Sequence, residues 1–129
     1  MVTVRAVIKK GNKFLLVQRV SSDVGGGKYQ LVGGGIDNNE TPENAIVREV
    51  KEEIGLIVTK LKKLKEQYNS VMGQNSIYFL VSVKGKPIPQ NSEVQSYGYF
   101  SKKQMQKLPL TFGTQTFFKI RRANNGICK

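Results

Sequence analysis

The chain has 129 residues, of which 39% are hydrophobic and 23% charged, a size and composition typical of one soluble globular domain. It has no histidine and one cysteine, Cys128, which excludes Ser-His and Cys-His nucleophiles, histidine bases, zinc sites and an intramolecular disulfide. The net charge is +12, no apolar run approaches the roughly 18 to 20 residues that span a bilayer, and no secretory signal is visible, so we expect a cytoplasmic protein with no membrane partner.

The predicted elements begin with β-structure. Residues 2–9 and 13–19 are rich in branched side chains and are joined by Lys10-Gly11-Asn12, which predicts a hairpin. A short strand at 29–32 follows, and the next three residues, Gly33-Gly34-Gly35, are expected to break it.

A helix is predicted over residues 42–54. Thr41 can cap its N-terminus, Pro42 fits the first turn, and Glu43 suits the positive end of the helix dipole. Gly55 is expected to end the helix.

Strands and helices alternate less regularly beyond this helix. Strands are predicted at 56–67, 76–83 and 95–100, and helices at 101–107 and 114–122. No repeat or linker is visible, so residues 1–129 are predicted to form a single domain. This order of elements predicts an α/β fold, an α/β/α sandwich with a mixed β-sheet between helices.

The predicted helix carries an apolar stripe and an acidic stripe side by side. At about 100° per residue, the first comprises Ile46, Val47, Val50 and Ile54, and the second comprises Glu49, Glu52 and Glu53. Two carboxylates about 5 Å apart repel by roughly 3 kcal/mol at an effective dielectric near 20, whereas a fully solvated pair loses only a few tenths. A simple exposed acidic face is therefore one interpretation. The other is a divalent cation, and oxygen ligands favour magnesium, manganese or calcium.

The acidic stripe belongs to a longer motif. Gly34, Glu40 and the run from Arg48 to Leu56 follow the spacing G-x5-E-x7-R-E-U-x-E-E-x-G-U, in which U is aliphatic. This pattern, 23 residues long, resembles the box that defines the Nudix hydrolases, a MutT-like family. The resemblance implies the Nudix fold over most of the chain. It also implies a metal-dependent hydrolase that cleaves a nucleoside diphosphate linked to a moiety X, giving a nucleoside monophosphate and phosphorylated X by attack of water on phosphorus.

The resemblance assigns roles to residues within the box. Glu49, Glu52 and Glu53 should bind magnesium or manganese, and in some members the residue matching Glu49 serves instead as the general base. Arg48 should orient these glutamates, and Glu40 should brace the loop against the helix.

Other positions take their expected roles from the glycine run and from the flanks of the box. The carbonyl of Gly33 is an additional candidate metal ligand, and Gly34 and Gly35 let a substrate approach the backbone because no Cβ intervenes. Glu93 resembles a downstream acid that many members use as ligand or base, although a surface loop charge is the alternative. Arg19 resembles an arginine that contacts substrate phosphate in some relatives.

Three functions remain open at the level of sequence. The leading one is hydrolysis of a small-molecule nucleotide, such as a nucleoside triphosphate, a nucleotide sugar or an ADP-ribose-type compound. Outside positions 37–53 the chain has nineteen Lys and Arg and only three acidic residues. This excess of positive charge indicates either a surface that attracts polyanions or one that only keeps the protein soluble. An RNA 5′-end pyrophosphohydrolase and a catalytically silent nucleotide-binding module are therefore the alternatives. The chain is expected to act as a monomer or a homodimer.

Overall fold

The computed structural model describes residues 2–20, 26–70, 72–90 and 92–120. These ranges contain the following strands and helices: β1 (Val2–Val7), β2 (Lys9–Lys10), β3 (Lys13–Arg19), β4 (Tyr29–Gly35), α1 (Pro42–Ile54), β5 (Ile57–Asn69), β6 (Gln74–Lys84), β7 (Val94–Ser101), α2 (Lys102–Met105) and α3 (Phe112–Phe118). None of the described helices is long and apolar enough to cross a membrane.

The strands form one mixed sheet. Its order is β2-β3-β4-β1-β6-β5, and β7 pairs with the other edge of β3. β1 runs parallel to β6, whereas all the other pairs among these seven strands are antiparallel. Strand β4 changes partner along its length, because residues 29–31 pair with β3 and residues 32–35 pair with β1.

Two strand predictions were wrong in part. The turn at Lys10-Gly11-Asn12 joins only β2 and β3, whereas β1 is a central strand held between β4 and β6. Gly33-Gly34-Gly35 does not break β4, because these residues pair in register with Arg5, Val4 and Thr3 of β1. Local sequence gives no sign of such pairings, since they join segments far apart in the chain.

Apolar side chains pack on both faces of the sheet. One core lies between the sheet and α1 and includes Val4, Ala6, Ile46, Val50 and Ile54. The other lies between the sheet and the C-terminal helices and includes Val7, Leu16, Tyr78, Met105 and Phe118. Strand alternation explains why neighbouring residues of β1 enter different cores. The predicted mixed sheet between helices is thereby confirmed.

The boundaries of α1 agree with the prediction. Thr41 Oγ1 accepts a hydrogen bond from the Asn44 amide at 3.1 Å, and Gly55 ends the helix in the left-handed region at φ 71°. The segment after β6 then covers the C-terminal end of the helix. There the Ile88 and Gln90 amides donate to the carbonyls of Ile54 and Glu53 at 2.9 and 3.0 Å.

The C-terminal helices are shorter or shifted relative to the predictions. Helix α2 has four residues and begins at a capping box formed by Ser101 and Gln104. Helix α3 begins at Phe112, two residues before the predicted start, and Lys119 ends it in the left-handed conformation. The predicted last residues of that helix, 121–122, lie outside the described residues.

Candidate active site

Arg48, on the side of α1 away from the core, is the centre of a charged cluster. Its Nε and Nη2 donate to the two carboxylate oxygens of Glu40 at 2.7 and 2.9 Å, a bidentate pair. Its Nη1 donates to Glu49 at 3.1 Å and to Glu52 at 3.0 Å, and Nη2 also reaches the Gly35 carbonyl at 3.0 Å. The hydrogen bond from Arg48 lowers the pKa of Glu40 and keeps that carboxyl ionised.

Glu53 lies beneath this cluster with 6% of its surface exposed. Its Oε1 accepts a hydrogen bond from the Gly33 amide at 3.1 Å, at the point where β4 has left β3. Burial raises the pKa of Glu53 to about 7, although the hydrogen bond from Gly33 and the charge of Arg5 oppose the rise. The helix therefore places a carboxyl group that titrates near neutral pH against the backbone of β4.

Glu49 is a second, partly buried carboxylate, with a side chain 13% exposed. It packs directly on Gly34, where an added Cβ would lie 2.5 Å from Glu49 Oε2. Burial raises the pKa of Glu49, and the neighbouring charge of Glu52 acts in the same direction. Gly34 is therefore required because this carboxylate occupies the space of a side chain.

The donor set fits a hard divalent cation, although the three box glutamates do not converge in this conformation. Among the described residues, no three His, Cys, Asp or Glu side chains already form a ligand set. Glu49 raises the pKa of Glu53, which places two carboxylates close enough to repel each other. Glu52 is turned toward Arg48, and its side chain is 56% exposed. Glu49, Glu52 and Glu53 are the residues that could hold such a cation, because oxygen donors select magnesium or manganese.

Arg5 is a site residue that sequence analysis missed. It lies on β1 directly opposite Gly33, and its Nη1 donates to the Leu31 carbonyl at 3.1 Å. Its charge lowers the pKa of Glu53, as does that of Arg19 at the end of β3, so both guanidinium groups lie near the acidic cluster. A lone arginine within the apolar run VTVRAVI was the available signal, because a charge on a central strand needs a partner.

A cavity of about 640 Å³ lies on the face of the sheet that carries α3, and Arg5, whose charge acts on Glu53 and Glu49, links this cavity to the cluster. Arg5, Arg19 and Lys28 line it, and no acidic side chain does so within the described part of the chain. Its volume is within the range of small-molecule sites, roughly 300 to 1,000 Å³. The cavity therefore suits an anionic ligand whose charged end faces the arginines.

The structure separates the remaining predicted positions. Glu93 is exposed, immediately precedes β7, and accepts a hydrogen bond from the Val20 amide through its backbone carbonyl. It thus lies on the far side of β3 from β4. Gly33 contributes its amide to Glu53, and the role of its carbonyl as a metal ligand stays a prediction. Among the aromatic residues, Tyr68 lines the cavity, whereas Tyr29 packs edge-on against Phe100.

Comparison with known proteins decides the family. The family model described as NUDIX domain matches residues 1–119. The chain belongs to the NUDIX family. It is 35% identical over 112 residues to an ADP-ribose pyrophosphatase of Methanocaldococcus jannaschii, a match that covers 83% of this chain and 65% of that protein. It is 28% identical over 108 residues to the NAD-capped RNA hydrolase NudC of Pseudomonas aeruginosa, covering 80% of this chain and 37% of that protein.

Solved NUDIX structures share the fold. A MutT NUDIX hydrolase from Burkholderia pseudomallei superposes with a TM-score of 0.80 at 24% identity, covering 92% of this chain and 95% of that one. An ADP-ribose pyrophosphatase from Streptococcus suis gives 0.69 at 27% identity, covering 88% and 81%. The chain spans less than two thirds of the length of the curated relatives above.

The raised pKa of Glu53 predicts that the metal-free NUDIX protein loses stability as pH rises. An unfolded glutamate releases its proton near pH 4.5, whereas the folded chain holds this one up to about pH 7. Because the folded state binds more protons between these values, the free energy of unfolding should fall by on the order of 3 kcal/mol across them. The raised pKa of Glu49 changes the free energy of unfolding in the same direction. The lowered pKa of Glu40 changes it only at pH values below this window.

Urea denaturation in EDTA at pH 5 and pH 8 measures this effect. We expect a lower midpoint at pH 8, and we expect Glu53→Gln to remove most of the difference because the amide has no proton to release. A midpoint that rises with pH in the parent protein would contradict the raised pKa.

Proposed function

We propose that this NUDIX chain is a metal-dependent pyrophosphohydrolase of small nucleotides. It would cleave the diphosphate of a nucleoside diphosphate linked to X, giving a nucleoside monophosphate and phosphorylated X. The observation that carries this proposal is the presence of a buried Glu53 and a partly buried Glu49 within the electrostatic reach of Arg5, which lines a cavity with cations and no described acid. An ADP-ribose-type substrate is the first candidate, because the M. jannaschii relative is an ADP-ribose pyrophosphatase.

The arginines near the cluster would have two different roles, binding of the substrate and positioning of the glutamates. Arg5 and Arg19 line the cavity and would hold the diphosphate oxygens at its charged end. Arg48 would act as a positioning residue, because it touches Glu40, Glu49 and Glu52 and lies on the helix rather than in the cavity.

The proton of the attacking water needs an acceptor near neutral pH. Glu53 is the candidate for this role that the geometry favours, because the Gly33 amide fixes the orientation of its carboxylate. Glu49 and Glu93 remain the alternative bases that the sequence suggested. Glu49, Glu52 and Glu53 would hold magnesium or manganese, which when bound supplies Lewis-acid stabilisation of the diphosphate charge.

A substrate panel tests the proposed activity. The protein would be incubated with magnesium and with ADP-ribose, nucleoside triphosphates, a nucleotide sugar and a dinucleotide, and the products identified by chromatography. We expect AMP and ribose 5-phosphate from ADP-ribose, with no product in EDTA. If no compound is cleaved above background, the proposal fails, and binding of ADP-ribose measured by calorimetry would then support a catalytically silent binding module.

A second candidate function is hydrolysis at the 5′ end of RNA. Strand β5, the edge of the sheet next to the cavity, carries four exposed lysines: Lys60, Lys62, Lys63 and Lys65. Such a row of charge can follow a phosphate backbone, and the P. aeruginosa relative is an NAD-capped RNA hydrolase. Including a triphosphorylated RNA in the panel separates the two functions. An RNA enzyme would prefer the long substrate and lose affinity steeply with salt, whereas equal cleavage of a free nucleotide would exclude this function.

A further inference from the structure

Gln67 is a polar residue of the cavity wall that the reaction does not use. It lies on β5, opposite Ser76 of β6, and its side chain lines the cavity. Its Oε1 is shielded from water and accepts no hydrogen bond from any residue within the described ranges. A buried acceptor left without a donor destabilises the protein that carries it, so ligand binding gains affinity when the Gln67 side chain turns to bring Oε1 to a donor on a ligand in the cavity.

The position of Gln67 in the sheet places it away from the phosphate end of the cavity. Arg19 is on β3 and Arg5 on β1, whereas Gln67 is on the edge strand β5. Two strand spacings, about 10 Å in total, separate β1 from β5. A ligand with its diphosphate at the arginines would therefore extend its nucleoside toward Gln67.

The surroundings of Gln67 suit an aromatic ring. Tyr68, Met72 and Phe112 also line the cavity, and they are 66%, 57% and 55% exposed. Large apolar side chains left open to solvent beside a cavity provide surfaces on which a nucleobase can stack. The cavity therefore combines exposed apolar side chains with the unpaired acceptor of Gln67.

We propose that Gln67 determines which nucleobase this chain accepts, by taking a hydrogen bond from an exocyclic amino group, that of adenine first. Glutamine is well matched to the edge of adenine, whose amino group donates. The inference rests on the proposed function, because it assigns the base of the same substrate whose diphosphate lies at Arg5 and Arg19.

The test compares ADP-ribose with its hypoxanthine analogue, in which a carbonyl replaces the amino group. The parent protein should prefer ADP-ribose by about tenfold in kcat/KM, with the difference mainly in KM. Gln67→Glu keeps an acceptor and should keep the preference, whereas Gln67→Met keeps the shape without the acceptor and should lose it. Gln95→Met, at an exposed position of β7, is the matched control and should leave the ratio unchanged.

The outcomes separate this inference from the proposed function. Equal use of the two substrates by the parent, or an unchanged preference in Gln67→Met, would overturn the role of Gln67 while leaving the hydrolase intact. If neither substrate is cleaved, the proposed function fails. Calorimetry with AMP and IMP then tests the inference, which requires tighter binding of AMP in the parent and in Gln67→Glu and equal binding of the two in Gln67→Met. A thermal melt of each variant confirms that the ratio is measured on folded protein.

Discussion

Replacing Glu53 by Gln is expected to lower kcat by on the order of a thousandfold while leaving the fold intact. The amide keeps the shape of the side chain and an oxygen for the Gly33 amide, which donates to Oε1 at 3.1 Å. It removes the negative charge and the ability to accept a proton near neutral pH. Because the carboxylate is buried at an energetic cost, the variant should be at least as stable as the parent at pH 8.

Steady-state kinetics with the best substrate of the panel, together with a urea titration, measure both effects. Glu43→Gln is the matched control, because Glu43 lies in the first turn of the same helix and is exposed. Glu93→Gln is the companion variant, and a loss of turnover there larger than in Glu53→Gln would move the proton acceptor to the downstream acid. Turnover of Glu53→Gln within a few-fold of the parent would remove Glu53 from the reaction.

The second large effect is expected at Gly33, where alanine should unfold the protein or destabilise it by more than about 3 kcal/mol. A Cβ at this position would lie 1.9 Å from the Val4 carbonyl oxygen, and the backbone has a φ of +155°. The obstacle is the main chain of a central strand, which cannot move without disrupting the pairing of β1 with β4.

The two neighbouring glycines provide graded controls. At Gly35 an added Cβ meets nothing within 4 Å, so Gly35→Ala should change stability by less than about 1 kcal/mol. At Gly34 the Cβ would meet the flexible side chain of Glu49, so Gly34→Ala should keep the fold and reduce turnover by displacing that carboxylate. Chemical denaturation and kinetics on the three variants check this order. A Gly33→Ala protein as stable as Gly35→Ala would show that the close approach of β4 to β1 is not needed.

Local pattern predicted those parts of the molecule whose causes are local. The limits of α1 followed from Thr41, Pro42 and Gly55, since capping and helix termination depend on adjacent residues. Side-chain periodicity likewise placed Glu49, Glu52 and Glu53 on one flank of the helix. The motif then gave the family, because its spacing is fixed by the geometry of one loop and one helix.

Features that depend on pairing across the chain were not predictable in this way. The parallel pairing of β1 with β6 places Val2 beside Asn75, and nothing in the sequence of either segment indicates which strand it pairs with. The long-range pairing of β1 with β4 likewise sets Arg5 opposite Gly33, and the cavity that Arg5 lines also takes residues from segments far apart in the chain. The orientation of Glu52 toward Arg48 also required the structure, because periodicity places Cβ atoms but not the ends of long side chains.

The amides of Ile88 and Gln90 make the last turn of α1 dependent on a segment more than thirty residues downstream. A helix end normally frays on its own, but here fraying would also require that segment to detach. Local opening of residues 86–90 and loosening of the backbone beneath Glu53 are thus a single cooperative event. Natural variation in a stretch that contributes no residue to the acidic cluster can in this way alter the rigidity of the reaction centre.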